Sequence, residues 1–453
     1  MSLEGYPRTG TELHRWYCRQ MARSTTPSAI SVAPMHHPAR LGLPQLDANG
    51  RIVLAARTLR SFGFGLNSVA LGLYLSQLGL AGAEIGLVLS AALAGTLLLT
   101  LVITLYGDRI GRRRLLMAGS ALMAAAALVP VLSNAPLLLG AIALSGMVAV
   151  NANESTGLQT IDQALLPGTV APSQRTAAFA LYNLLAATAA ALGALSVGLL
   201  PLLGPTLGLS GAQVYAPAFL VYALLGVAGL IITARLDQRV ESGARLEGRR
   251  LAVDRSRPVV ARLSVLFGLD AFAGSFTVQS FLAYFLATRF GAEPAAVGGL
   301  FFASMILSAV SFPVAAWLAR RIGLINTMVF THIPSSLFLI GMALSPSFAL
   351  AAAFQLARAA LASMDVPARQ SYTMAVVDPA ERTATAGVTS LARAIAGVPG
   401  PYIGGALVTF GLGVPLIATA VLKITYDMAL FALFRARPAP EERLTQAEIE
   451  VSS

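Results

Sequence analysis

The sequence predicts an all-α polytopic membrane protein, with twelve transmembrane helices arranged as two parallel six-helix repeats. Three observations carry that expectation. The first is composition: hydrophobic residues are 56% of the 453 and charged residues only 12%, with a mean hydropathy of +0.71. A soluble protein averages about 25% charged residues, and disordered chains are more polar still. The second is a succession of apolar runs of the length, about 20 residues, that crosses a bilayer. The third is an internal repeat joining the two halves of the chain.

Residues 1–52 are polar and Pro-containing and read as a disordered cytoplasmic tail. Beyond them, spans are expected at 53–77, 83–106, 114–133, 136–165, 174–201 and 214–234, then at 262–288, 296–318, 324–343, 347–375, 382–409 and 413–434. The first six form an N-terminal bundle, 53–234, and the last six a C-terminal bundle, 262–434. Between them, 235–261 is a cytoplasmic linker loop, and 435–453 is a short, solvated cytoplasmic tail. With the N-terminus inside, the loops expected outside carry one basic residue, Arg289. The inside loops carry sixteen, among them Arg109, Arg112, Arg113 and Arg114, and eight between 235 and 262. That asymmetry follows the positive-inside rule and puts both termini in the cytoplasm; the expected location is the cell (inner) membrane.

The repeat has two parts. Shifted by 212, EIGLVLS at 84–90 meets AVGGLFF at 296–302, DRIGRR at 108–113 meets RRIGLI at 320–325, and Asn67 meets Gln279. Shifted by 207, DQALLPGTVAPSQRTA at 162–177 meets RQSYTMAVVDPAERTA at 369–384. Parallel six-span repeats belong to transporters that bind their cargo between the halves near the midplane.

The loop between the second and third spans reads GDRIGRRR, Gly107 to Arg114. Here the chain resembles the major facilitator superfamily, whose signature in that loop is G-x-L-[AG]-D-R-x-G-R-[RK]. Gly107, Asp108, Arg109, Gly111, Arg112 and Arg113 match it, while Thr104 replaces the leading glycine and Tyr106 the leucine. The resemblance covers 53–434 and implies a twelve-helix secondary transporter working by alternating access, with the first, fourth, seventh and tenth spans lining the cavity. Asp108 and Arg109 are expected to latch the cytoplasmic gate; the second-half copy has Arg320 in place of the acid.

Ionisable residues inside spans cost about 2.5–3.5 kcal/mol each at mid-membrane, so they normally pair and face a cavity. They are Arg57, Arg60, Glu154, Asp162, Asp270, Arg358, Asp365, Arg369, Arg393, Lys423 and Asp427. Depth counting at 1.5 Å per residue suggests the pairs Arg60–Glu154 and Arg57–Asp162, and Lys423–Asp427 reads as an i,i+4 pair. Arg60, Asn67, Glu154, Asp270, Gln279, Asp365 and Arg369 are the expected cavity residues. Asn67 and Gln279 face each other across it, and Glu154 or Asp270 carries the coupling proton.

Net charge is +11 from 31 Arg and a single lysine, Lys423, against 21 acids. These basic residues lie mostly between apolar runs, so they speak for topology rather than for nucleic acid. Cys18 is alone, and His14, His36, His37 and His332 are too scattered for a metal cluster. A phosphate-binding GxxxxGK[ST] loop is missing, so ATP is not an expected energy source. No cofactor and no enzymatic activity are expected; the partners are a small-molecule substrate, protons and the bilayer, with the chain acting as a monomer. GVPGPYIGG at 397–405 resembles, in its GPxxGG portion, the antiporter signature of drug-efflux facilitators, although that signature belongs in the fifth span. Proton-coupled efflux is the expected activity, with uptake and a non-transporting sensor as alternatives.

Overall fold

The computed structural model describes residues 44–133, 135–152, 157–171, 174–237, 255–378 and 381–435. Among them are seventeen α-helices and no strand. In the N-terminal half these are α1 (Ala48–Gln77), α2 (Gly82–Ile110), α3 (Arg112–Leu132), α4 (Pro136–Ala143), α5 (Gly157–Leu165), α6 (Arg175–Ser196), α7 (Leu200–Thr206) and α8 (Ala216–Thr233). In the C-terminal half they are α9 (Arg257–Ser275), α10 (Gln279–Phe290), α11 (Pro294–Ile322), α12 (Leu324–Leu344), α13 (Phe348–Ala362), α14 (Asp365–Ala375), α15 (Arg382–Gly397), α16 (Gly400–Leu407) and α17 (Val414–Phe434).

Ten helical stretches of the described residues are long and apolar enough to cross a membrane. The expected spans outside that ten are 53–77 and 136–165. The first is one unbroken helix, α1, of 30 residues, whose start at Ala48 is fixed by Asp47 accepting the Gly50 N–H at 2.7 Å. It carries Arg51, Arg57 and Arg60 along its first half. The second is not a continuous helix: regular structure stops at Ala143, and Gly146 turns the chain at a φ of +74° that favours glycine.

The seventh, tenth and eleventh spans are likewise split, at Phe276–Val278, at Ser363–Met364 and at Val398–Pro399. Pro367 lacks an N–H at the start of α14, and Pro399 and Pro401 do the same at α16, so each helix must end one turn earlier.

The repeat is visible in the backbone. α2 and α11 are both 29 residues long and begin 212 positions apart; α3 and α12 are both 21. A single glycine with positive φ joins α2 to α3, Gly111 at 97°, and another joins α11 to α12, Gly323 at 87°. This is the GRR/GLI position of the repeated loop, where a left-handed residue reverses the chain without a longer connection.

The buried apolar residues fall into three cores. One, at the end of the bundle farthest from the chain ends and the linker, draws on both halves, joining Leu66–Leu75 of α1 and Ile85–Ala92 of α2 to Phe281–Leu286 of α10 and Val297–Phe301 of α11. The other two lie at the linker end and keep to their own halves, one around Leu116, Leu158 and Tyr182, the other around Phe267, Met328 and Tyr372. The halves are therefore sealed together at the far end and packed separately at the linker end.

The seal depends on glycine. A methyl group at Gly72 would stand 2.0 Å from the Ser280 carbonyl oxygen, and one at Gly86 2.3 Å from that of Pro401. One at Gly405 would stand 2.1 Å from the carbonyl of Gly82. The GPYIGG stretch thus brings α16 against α2.

Candidate functional site: charged clusters in the two half-bundles

In the N-terminal half, Arg60 of α1 forms a buried ion pair with Asp162 of α5. Tyr182 of α6 adds its hydroxyl to the same carboxylate oxygen at 3.1 Å. Arg57 lies over the Tyr182 ring, its guanidinium carbon 5.3 Å from the centroid. The expected pairing of Arg57 with Asp162 is thus corrected to Arg60 with Asp162. Depth counting assumed a continuous fourth span, and the break after Ala143 changes the register of everything below it. Glu154, the expected partner of Arg60, lies outside the described residues.

The C-terminal half holds a larger cluster, built by five helices around Asp270 of α9. Its Oδ1 accepts from Lys423 Nζ of α17 at 2.6 Å. Its Oδ2 accepts from Arg393 Nη1 of α15 at 3.0 Å and from Arg369 Nη1 of α14 at 3.4 Å. Arg369 also donates to Asp365, one turn earlier, at 2.8 Å. Gly274, one turn above Asp270, leaves room for the lysine: a methyl group there would stand 3.4 Å from Lys423 Cε. Asp270 is 5% exposed, and Arg393, 30% exposed, is the edge that meets solvent. Asp270, Asp365 and Arg369 are brought together, as the sequence suggested.

Lys423 and Asp427 do not pair with each other. Both point from α17 into the bundle, Lys423 to Asp270 and Asp427 to His332 of α12, whose Nδ1 stands 3.0 and 3.1 Å from the two carboxylate oxygens. An i,i+4 pair at a surface contributes only about 0.2–0.5 kcal/mol, so buried partners on other helices outcompete it. The His332 Nε2 lies 3.3 Å from Lys423 Nζ and 3.9 Å from Asp270 Oδ1. Sequence reasoning set His332 aside as too far from other histidines for a metal. The signal that would have found it is a lone histidine in the middle of an apolar span, matched by the chain's only lysine in another.

The cluster balances its charge. Asp270, Asp365 and Asp427 stand with Lys423, Arg369 and Arg393 around His332, three formal charges of each sign. Buried charges need such pairing, since removing one partner costs about 3–5 kcal/mol.

Asn67 and Gln279 do not face each other across a cavity. Both serve the break in the fourth span, whose freed backbone groups need partners. Asn67 donates to the Ala149 carbonyl at 2.9 Å, and Gln279 Oε1 takes the Ala152 N–H at 3.3 Å. In return Asn151 Oδ1 accepts the Gln279 N–H at 3.0 Å. Ser280 donates through its N–H to Val150 at 3.1 Å, and Tyr222 donates to Met147. The break in the fourth span is stitched to the break in the seventh, across the two halves.

Of the gate motif, Gly107 lies within α2 and Gly111 forms the turn to α3. Arg112 begins α3, and Arg113 donates to the Ala234 carbonyl at 2.6 Å, tying the end of α8 to this loop. The side chains of Asp108 and Arg109 fall outside the described set. Thr104, in place of the leading glycine, turns its hydroxyl back to Thr100 at 2.8 Å. The close approach of α2 to the eleventh span is made instead by Gly82 and Gly86.

A family model described as Major Facilitator Superfamily matches residues 53–272 and 263–451. An uncharacterized membrane protein of Saccharomyces cerevisiae is 25% identical over 418 residues, covering 85% of this chain and 93% of its own. Among solved structures, the nucleoside transporter NupG superposes with a TM-score of 0.67 at 14% identity, covering 84% of this chain and 99% of its own. A bacterial homologue of the human lysosomal transporter Spinster, in an inward-facing, unoccupied conformation, has a TM-score of 0.65 at 16% identity, over 87% and 99%. At these identities the two structures share the fold with this chain.

Proposed function

The chain belongs to the major facilitator superfamily, and we propose that it is a secondary active transporter that moves a small organic solute by alternating access, exporting it in exchange for protons. The observation that supports this reading most is the partition of the cores: one shared by both halves at the far end, two kept apart at the linker end. Two rigid bundles that share contact at one end only can rock about it, exposing a central path to each side in turn. With the linker in the cytoplasm, as the arginine distribution implies, this is the inward-open arrangement.

The coupling proton is assigned to the charged residues of the half-bundles, with Glu154 and the Asp270 cluster as the two sites. A network in balance responds strongly to one added proton, because a buried ion pair that loses a partner leaves an uncompensated charge. Efflux is supported by the GPYIGG stretch, which resembles the antiporter signature and lies on the seal between the halves.

The test begins with thermal stabilisation of the purified protein across a panel of metabolites and drugs, since a ligand that binds the folded state raises its stability by mass action. A stabilising compound is then tested for counterflow in proteoliposomes, with and without a pH gradient. Counterflow accelerated by an opposing proton gradient is the expected result. Binding without counterflow would make the protein a sensor, and acceleration by a parallel gradient would make it an uptake carrier. Glu154→Gln should exchange the compound without concentrating it if Glu154 is the coupling acid.

A further inference from the structure

We infer that His332 is a proton-binding residue of this protein, and that its protonation releases Lys423 from Asp270. The inference deepens the transport reading above and rests on it for its functional meaning.

The hydrogen-bond chemistry determines the state of the ring. A lysine ammonium has three donors and no acceptor. With Lys423 Nζ 3.3 Å from His332 Nε2, that nitrogen must present its lone pair. An ionised carboxylate only accepts, so Nδ1, 3.0 Å from Asp427, must carry the hydrogen. His332 is therefore neutral, in the Nδ1–H form, and bridges two groups of the same helix, α17. One proton on Nδ1 satisfies both contacts; a second on Nε2 keeps the bond to Asp427 and turns the contact with Lys423 from attraction to repulsion.

A proton added to Nε2 puts an N–H where Lys423 now donates. Two cations then face each other at 3.3 Å. The nearest acceptor for the new N–H is Asp270 Oδ1, 3.9 Å away, which Lys423 holds at 2.6 Å. That oxygen can accept two donors, as Oδ2 does from both arginines, so the lysine is displaced by repulsion between imidazolium and ammonium 3.3 Å apart rather than by want of a lone pair. The proton comes from water and stays on Nε2; no other bond is made or broken.

Charged and titratable groups surround the ring from each helix packed on it. From α17 come Lys423, Asp427 and Tyr426, whose ring meets His332 edge-on at 6.0 Å. From α9 comes Asp270, and behind it stand Arg369 and Asp365 of α14 and Arg393 of α15. α13 also packs on α12 and carries Arg358, which donates to Gln355 of its own helix. On α11, Arg321 lies over Trp317.

Release has a direction. Without Lys423, Asp270 keeps Arg393 of α15 and Arg369 of α14. α9 is then drawn from α17 toward α14 and α15. Six residues beyond Asp270 lies the break at Phe276–Val278, and beyond it Gln279 and Ser280, which are bonded to the fourth span. The proton site is thus joined to the seam between the halves through one short helical segment with a built-in hinge.

The experiment uses the full chain labelled with 15N-histidine, compared with His332→Gln and Lys423→Gln over the range in which imidazoles exchange protons. The resonance missing from His332→Gln should show the neutral Nδ1–H form at high pH and gain its second proton on acidification. In Lys423→Gln the high-pH signal of that ring should change, because its Nε2 has lost the ammonium donor 3.3 Å away. In parallel, spin labels at Ala164→Cys and Ala261→Cys, in a Cys18→Ser background, report the separation of α5 and α9 at the linker end. Acidification should shift that separation in the parent and leave it unmoved in His332→Gln. A neutral Nε2–H form, a ring that takes up no proton in this range, or the same shift in His332→Gln would each overturn the inference. A protein that passes these tests and yet moves no solute would overturn the transport reading alone and leave the proton site standing.

Discussion

Asp162 and Arg369 stand 207 positions apart, at the same place in the two repeats, with opposite charges. Each is held by a residue of the opposite sign on the opening span of its own half: Asp162 by Arg60, and Arg369 by Asp270 at 3.4 Å. The two halves share one ionic link between equivalent spans and wire it with reversed polarity. The C-terminal copy has recruited three further cationic or titratable partners, Arg393 of α15, Lys423 of α17 and His332 of α12.

The three cations on Asp270 predict non-additive energetics. Asp270→Asn leaves all three facing a neutral group and should destabilise by about 3–5 kcal/mol. Lys423→Ala removes one of three and should cost less. The double variant should cost at least about 0.5–3 kcal/mol less than the sum of the singles, as groups in one network do. Thermal melts of the purified proteins in one detergent check this; strict additivity would mean that the lysine and the carboxylate act independently.

Tyr182→Phe removes one hydrogen bond from Asp162 and keeps the ring under Arg57. Its expected cost is about 1.5–3 kcal/mol, the range for a bond to a charged group. Asp162→Asn strips both Arg57 and Arg60 of their negative neighbour and should cost more. If Tyr182→Phe were the worse of the two on the same melt, the Arg60–Asp162 pair would not be what holds this site.

Gly86→Val places side-chain atoms where the Pro401 carbonyl now lies, 2.3 Å from the position of the first carbon. The far-end seal cannot close around it. A single cysteine at Val278, which is 4% exposed, should then react with a maleimide at least about tenfold faster than in the Gly86 parent, because side-chain overlap of this kind forces backbone shifts. Equal rates in a folded Gly86→Val protein would show that α2 and α16 separate without opening the seam.

Asp108→Asn should insert and fold normally yet lower transport, because the acid can accept hydrogen bonds from a helix N-terminus and pair with arginine only while charged. Counterflow of the stabilising compound, once found, measures it against the parent. Unchanged rates would reduce the GDRIGRR loop to a topological anchor.

Much of the architecture was legible in the sequence. The repeat shift of 212 reappears as helices of equal length, α2 with α11 and α3 with α12, because helix length follows directly from the distance between chain reversals. Gly111 and Gly323 fall at those reversals. Asp270, Asp365 and Arg369 were legible as a group, since Asp365 and Arg369 are one turn apart and the depth of Asp270 matches. His332 was not, because a histidine is diagnostic only through its neighbours, and these are Asp427 and Lys423, more than 90 residues away.

The sequence by itself determined that the chain is helical, built for a membrane, and repeated in parallel, because each of these follows from local hydropathy and from spacing along the chain. It also determined which ionisable groups the spans must accommodate. Only the tertiary structure decided which group holds which. Arg60 took Asp162 because the fourth span breaks after Ala143 and shifts the register of α5. Lys423 left Asp427 for Asp270 because α17 turns that face inward. Asn67 and Gln279 went to backbone groups exposed by the broken span rather than to a cavity. Helix rotation and helix breaks are set by packing between spans, and a buried charge or amide takes the partner that desolvation leaves within reach.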